Sequence, residues 1–392
     1  MEPFLPFFLI LLIAVVFSHL FMQMRIPWVV SLIIGGILLG PNGFGVFEPT
    51  DTVDFLGTIG LVFLMFIAGL ESKFSDVKRL RGKIALIAPL VGIVPALVGV
   101  GVALGLGYEL LTAILVGIIF MSSAIGMLVP IFERQHIVSS ELVKTIIAST
   151  VIIDAVSLVL LSVFLQFSGG GGVDPVALMI YPAALVLLGG FAWLLPKLKW
   201  LATKRISKGD DIFENELQFT VLVLIGLVVF FEFVGLHAIV AGFFGGMILA
   251  QSLENPLLKA KLHAISYGFF IPVFFVSMGA STDITVFFEG PEALAIMTAV
   301  IASLLVSKFV SGWLAGRLAG FNQQSSRLVG AAALPQLSTA LAVAFLGFGE
   351  GLLDQELLSS IVGLTIVTSI VAPILVSKFS HDISVRNYKN RA

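Results

Sequence analysis

The sequence predicts an all-α membrane protein of about 13 transmembrane helices built on inverted repeats. Three observations predict it: the composition, the sorting of the charges, and two matching glycine-rich segments. Of 392 residues 58% are hydrophobic and 12% charged, and the mean hydropathy is +1.10, whereas a soluble domain carries about 25% charged residues. A soluble fold cannot bury that much apolar surface. The net charge of −2, with no basic tract, leaves nucleic-acid binding without a footing. The absence of cysteine removes disulfides, thiolate metal sites and cysteine nucleophiles together. No HExxH and no nucleophile elbow are present, so neither enzyme activity nor a cofactor is expected. Residues 1–24 lack a basic start and a small-residue cleavage site after their apolar run, and read as a retained first span.

A bilayer core of about 30 Å takes roughly 20 apolar residues per helix. Cutting at charged and Gly/Pro-rich breaks gives spans at 4–24, 27–41, 55–71, 84–107, 110–132, 142–167, 176–196, 215–233, 236–252, 264–281, 292–316, 328–349 and 356–378. Alternate loops then collect every one of the 22 Lys and Arg residues except Lys308. The opposite loops hold acids, among them Glu48, Asp51, Glu109, Asp283, Glu350 and Asp354. The positive-inside rule places the N-terminus outside and the C-terminus in the cytoplasm.

The repeat rests on Val29 to Gly40 (VVSLIIGGILLG) against Ile239 to Ala250 (IVAGFFGGMILA), where Gly35 and Gly36 fall on Gly245 and Gly246, an offset of 245 − 35 = 210. Near the same offset, Gly60 to Ser72 (GLVFLMFIAGLES) lines up with Ile271 to Asp283 (IPVFFVSMGASTD). Setting spans 2–7 against 8–13 gives six spans each but pairs span 2 with span 8, while the glycines pair span 2 with span 9. Glycine-rich helices also resemble each other by chance. An inverted repeat places a transport site at the midplane, between discontinuous helices. Two candidates for such helices stand out: span five, with Met121-Ser122-Ser123-Ala124-Ile125-Gly126 and Pro130, and span twelve, with Gly330, Pro335-Gln336 and Ser338-Thr339. Proline removes a helix hydrogen bond, and small polar residues can satisfy the carbonyl it frees. A plain proline kink is the alternative for either one.

Only Asp154 and Lys308 remain as ionisable groups deep in a span. A charge at a helix centre costs about 2.5–3.5 kcal/mol on insertion scales, so such residues point to function. Helical spacing puts Thr150 at i−4 and Ser157 at i+3 of Asp154, one polar stripe on an apolar helix. Burial disfavours a bare carboxylate, so Asp154 holds a proton or a monovalent cation, but not both, which is sufficient for antiport. A structural ion pair between Asp154 and Lys308 is the plain alternative. Glu71 and Glu232 sit at span ends, and His237 near an interface.

The stretches Gly60 to Glu71 (GLVFLMFIAGLE), Ser122 to Ala124 followed by VPIFER, the Asp154 helix, Gly235 to Leu249 (GLHAIVAGFFGGMIL) and Ile271 to Ile284 (IPVFFVSMGASTDI) resemble the monovalent cation:proton antiporter-2 family, from about residue 5 to 378. That family includes bacterial Na⁺/H⁺ antiporters and the membrane part of Kef-type K⁺ efflux systems. The resemblance implies a single membrane domain over 1–392, with core helices at about 55–167 and 264–378 and dimerisation or scaffold helices at about 4–41 and 176–252. It implies two crossed, unwound helices, elevator-like movement, a homodimer in the inner membrane, and a part in pH homeostasis. Residue by residue, it implies that Asp154 is the essential acid and that Thr150, Ser122 and Ser123 supply cation-coordinating oxygens. Lys308 matches a lysine that electrogenic members set opposite an extra acid.

The sequence departs from that pattern at Ile153, where such antiporters usually carry Asp, Asn or Gln. With one carboxylate and Lys308 charged throughout, one proton exchanges for one cation and no net charge moves; if Lys308 gives up its proton when the cation binds, exchange is electrogenic, and electroneutral exchange is the one expected. The chain ends about a dozen residues after the last span, so no cytosolic nucleotide-sensing domain of the Kef kind is expected. The expected activity is exchange of Na⁺, with K⁺ or Li⁺ left open, against H⁺. The alternatives are K⁺/H⁺ antiport of the Kef kind and Na⁺-coupled organic-anion symport on a bile-acid-transporter-like fold.

Overall fold

The computed structural model describes residues 4–23, 27–71, 77–124, 128–137, 140–168, 212–233, 236–252 and 255–389. Among these, every regular element is helical and there is no strand. Eight of the described helices are long and apolar enough to cross a membrane, and four shorter apolar helices accompany them. The expected span at 176–196 lies outside the described residues, as do the loop cations at 197–208 and Ile125-Gly126 of the fifth span.

The first spans are α1 (Phe4–Gln23), α2 (Trp28–Leu39), α3 (Asp51–Glu71) and α4 (Val77–Gly105). Span five is two pieces, α5 (Leu110–Met121) and α6 (Val129–Arg134), and the sixth is α7 (Glu141–Ser168). The second half runs α8 (Ile212–Phe233), α9 (Ala238–Ser252) and then α10 (Pro256–Ile265), which passes through a π-helical turn (Ser266–Phe270) into α11 (Ile271–Ser281). After the short α12 (Val286–Glu289) come α13 (Pro291–Leu318), the broken pair α14 (Gln323–Ala332) and α15 (Ser338–Gly349), and α16 (Gln355–Lys389).

Several boundaries lie outside the apolar runs because local chemistry starts helices earlier. Asp51 and Asp54 occupy the first turn of α3, where the helix dipole favours acids. The Asn255 side chain accepts the Leu257 amide at 3.0 Å and Pro256 follows at the first helical position, so the tenth span begins at 256 and not 264. Asn322 caps α14 in the same way, accepting the Ser325 amide at 2.9 Å.

The chain forms two compact units, one of Met1–Thr50, Phe74–Leu161 and Phe275–Ala392 and the other of Asp51–Lys73 and Ser162–Phe274. Within the first unit α2 lies against α11: a Cβ on Gly36 would collide with the Val276 carbonyl and stand 2.9 Å from Gly279 Cα and 3.0 Å from Ala280 N. Within the second unit α9 lies against α3: a Cβ on Gly246 would collide with the Phe66 carbonyl and stand 3.0 Å from Gly69 Cα and 2.8 Å from Leu70 N. The two contacts match residue for residue at one offset, 246 − 36 = 279 − 69 = 276 − 66 = 280 − 70 = 210. Glycine is required at these points because backbone meets backbone.

The repeat is therefore carried by packing as well as by letters, and the glycine match gives the right pairing. Span 2 answers to span 9 and span 3 to span 10, which sets spans 1–6 against 8–13 with the expected seventh span between them. On the expected count, whose seventh span lies outside the described residues, an offset of seven is odd and corresponds to inverted halves, whereas spans 2–7 against 8–13 correspond to parallel ones. The two broken spans, five and twelve, are then counterparts.

Gly36→Ala and Gly246→Ala are each expected to destabilise the protein by about 1–3 kcal/mol, as overpacking does. Gly101→Ala, with open space around its Cβ, is expected to cost nothing. Thermal unfolding in detergent reads the difference, and equal melting temperatures for all three would contradict the packing.

Candidate ion-binding site

Both broken spans stop at the same place. α5 ends at Met121 and gives way to extended backbone at Ser122, with φ −66° and ψ 165°. α14 ends at Ala332, and α15 restarts after Leu337, with φ −148° and ψ −101°. Each interruption leaves amides and carbonyls that helical bonding no longer serves, in a region where water does not serve them either. The two segments serve each other. The Ala124 amide donates to Pro335 O at 2.8 Å, and the Ser123 hydroxyl donates to Ala333 O at 3.0 Å.

Gln336, fully buried, ties the crossing together. Its Nε2 donates to Ser122 O at 2.7 Å, its Oε1 lies 3.0 Å from the Ser122 hydroxyl, and its amide donates to Thr368 Oγ1 on α16 at 3.2 Å. Sequence reading placed Gln336 in the break but not in the site. The available signal was a large amide beside Pro335 in a span with no other need for one.

Asp154 lies midway along α7, partly buried, and its Oδ1 accepts the Ser123 amide at 3.2 Å. Ser123 is also where the lysine arrives. Lys308 on α13 is fully buried, and its ammonium donates to Met121 O at 2.8 Å, Ser123 Oγ at 2.8 Å and Val91 O at 3.3 Å. Those contacts use all three donors of an ammonium. Among the described residues no ion pair joins Lys308 to Asp154; the two share Ser123, the acid at its amide and the ammonium at its hydroxyl. The ammonium sits at the C-terminal end of α5, where the helix dipole is negative.

Ile153 explains that placement. It is buried in the apolar cluster that includes Val91 and Met121, 3.7 Å from where a Cβ on Gly92 would stand. With no side-chain acid at that position, the lysine takes two backbone carbonyls and the Ser123 hydroxyl. Thr150 is buried one turn before Asp154 on the same face. The Ser157 hydroxyl, also buried, donates to the Asp154 backbone carbonyl at 2.9 Å. The structure thus joins Asp154, Ser123, Ser122 and Lys308 in one network with Gln336. Thr150 and Ser157 are brought near by helix register alone.

A carboxylate with an open oxygen, facing a crossing rich in carbonyl and hydroxyl oxygens and with a fixed cation held to one side, offers a hard monovalent cation its preferred ligands. The family described as sodium/hydrogen exchanger, transmembrane, matches residues 8–380. The chain belongs to that family. The family-level resemblance read from the sequence holds, while the narrower antiporter-2 label is slightly off the match.

Family relatives span nearly the whole chain. A probable Na(+)/H(+) antiporter 3 of Methanocaldococcus jannaschii is 30% identical over 377 residues, covering 94% of this chain and 95% of its own length. The Na(+)/H(+) antiporter of Enterococcus hirae is 27% identical over 381 residues, 96% of this chain and 97% of that protein. The Na(+)/H(+) antiporter NhaS5 of Synechocystis is 29% identical over 98% of this chain, which spans 56% of the length of NhaS5. The solved sodium proton antiporter MjNhaP1 of M. jannaschii has the same fold, with a TM-score of 0.65 at 16% identity over 96% of both chains.

Gln336→Leu keeps the volume but leaves the buried Ser122 carbonyl without its donor, while the Ser122 hydroxyl keeps the Ile119 carbonyl. The expected loss is about 1–3 kcal/mol of stability for a stranded buried polar group, against less than about 0.5 kcal/mol for Leu314→Ala on an exposed face. Denaturation of the two purified variants compares them directly.

Proposed function

We propose that the chain is a secondary antiporter that exchanges Na⁺ for H⁺, with Asp154 carrying the proton and the cation in turn. The observation that carries this reading is a carboxylate at the crossing of two broken helices whose nearest cation is committed to other oxygens. The names of the relatives, three of them Na(+)/H(+) antiporters, support it. Potassium is the ion to test beside sodium, because a relative in Bacillus cereus, 26% identical over 377 residues, is named a Na(+)/H(+)-K(+) antiporter.

Coupling follows from the cost of an unneutralised charge. A bare carboxylate in the bilayer costs about 2.5–3.5 kcal/mol even on insertion scales, which suppresses movement of the empty site by roughly a hundredfold, since about 1.4 kcal/mol is a factor of ten. The protonated and the cation-loaded site are both neutral and cross freely. Alternation between them is exchange. The cation's ligands are the Asp154 carboxylate, Thr150, Ser157 and the oxygens of Ser122 and Ser123, while Lys308 stays charged and offsets the dipole end of α5. One proton then moves for one cation, without net charge. The protein works as a homodimer in the inner membrane, N-terminus outside and C-terminus cytoplasmic, by an elevator-type movement, and contributes to pH homeostasis.

In proteoliposomes carrying a pH-sensitive dye, Na⁺ is expected to dissipate an imposed pH gradient, and Asp154→Asn to reduce that flux to the protein-free background. Cation-driven proton flux that survives Asp154→Asn would sink the mechanism. Clamping the membrane potential is expected to leave the rate unchanged. A rate that follows the potential would establish a stoichiometry other than one for one. Lowering the pH is expected to raise the apparent KM for Na⁺ with little change in maximal rate, since the proton occupies the oxygens that the cation needs.

A further inference from the structure

One contact of Lys308 is unexplained by the helix break. Met121 O is free because α5 ends there, and Ser123 Oγ belongs to the unwound segment, but Val91 sits in the middle of the continuous helix α4. A carbonyl at 91 in such a helix accepts from the amide of residue 95. Residue 95 is proline and has no N–H to give. Pro95 thus leaves the Val91 carbonyl without its helical donor, and Lys308 Nζ lies 3.3 Å from it.

We propose that Pro95 is a positioning residue for Lys308: by freeing the Val91 carbonyl it anchors the ammonium to α4 and holds it away from Asp154. Burial separates the two prolines of this helix. Pro95 and Val91 are both buried, whereas Pro89 and Ala85, the residue whose carbonyl Pro89 frees, are exposed. An exposed proline can kink a helix for many reasons. A buried one that frees a carbonyl within reach of a buried ammonium solves a specific problem, because position 153 supplies no acid and three donors need three oxygens. The reason for keeping the ammonium to one side is competition. An ammonium with a spare donor next to a carboxylate takes the place that the transported cation would occupy, and one saturated by Val91, Met121 and Ser123 does not.

Pro95→Ala restores the missing N–H and returns the Val91 carbonyl to the helix. The variant is expected to raise the apparent KM for Na⁺ about tenfold, the order of a hydrogen bond to a charged group, with the maximal rate within about twofold of wild type. Pro95→Gly restores the same donor with a different side chain and is expected to behave alike, while Pro89→Ala is expected to match wild type. This kinetic arm rests on the exchange reading above. A second arm does not: melting temperatures of Pro95→Ala, Lys308→Met and the double variant form a cycle, and the two changes are expected to be non-additive, with Pro95→Ala harmless or stabilising once the ammonium is gone. If wild type exchanges no Na⁺ for H⁺, the function is wrong and the melting cycle still decides the inference. Wild-type KM in Pro95→Ala together with additive melting shifts would overturn it.

Discussion

Hydrocarbon offers no hydrogen bonds, and the structure of this protein around Asp154 follows from that one constraint. Two helices are opened in mid-span, which frees backbone groups that cannot be left alone. Ala124 and Ser123 donate to carbonyls of the other break, Gln336 gathers Ser122 and Thr368, and Lys308 covers what remains at the end of α5. Each opened helix is the other's repair. One of the groups that satisfy the breaks, Ser123, also gives its amide to the carboxylate.

Ser123 shows how tightly the parts are shared. Its amide serves the acid, its hydroxyl oxygen accepts from the base, and its hydroxyl proton serves the facing segment. A change in charge at Asp154 alters the field at an amide rigidly connected to the hydroxyl that Lys308 grips. The acid and the base are linked without touching.

Much of this was legible in the sequence. Charge sorting isolated Asp154 and Lys308, because insertion into a membrane is unforgiving of stray charges and leaves a clean pattern. Pro335, Gln336 and the Ser122-Ser123 pair marked the breaks, since proline and small polar residues have few other reasons to sit together in an apolar span. The partners were not legible. Ser122 meets Gln336 across 214 positions and Lys308 meets Ser123 across 185, and nothing local encodes such pairings. Pro95 shares its helix with Pro89, and nothing in the neighbouring letters sets the two apart; the ammonium beside the Val91 carbonyl does. The repeat lay between these cases: the offset was visible in Gly35-Gly36 and Gly245-Gly246, but the counterpart spans needed the packing of Gly69 and Gly279 to be set in order.

Those glycine contacts bear on how the protein can move. Where Gly36 meets Gly279 and Gly246 meets Gly69 there are no side chains to change rotamer, slide or interleave, and the backbones approach as closely as chemistry allows. Such a seam has one comfortable register. Each helix pair behaves as a welded strut, unable to flex internally, so whatever displacement carries an ion across must leave both struts whole and take place at joints elsewhere.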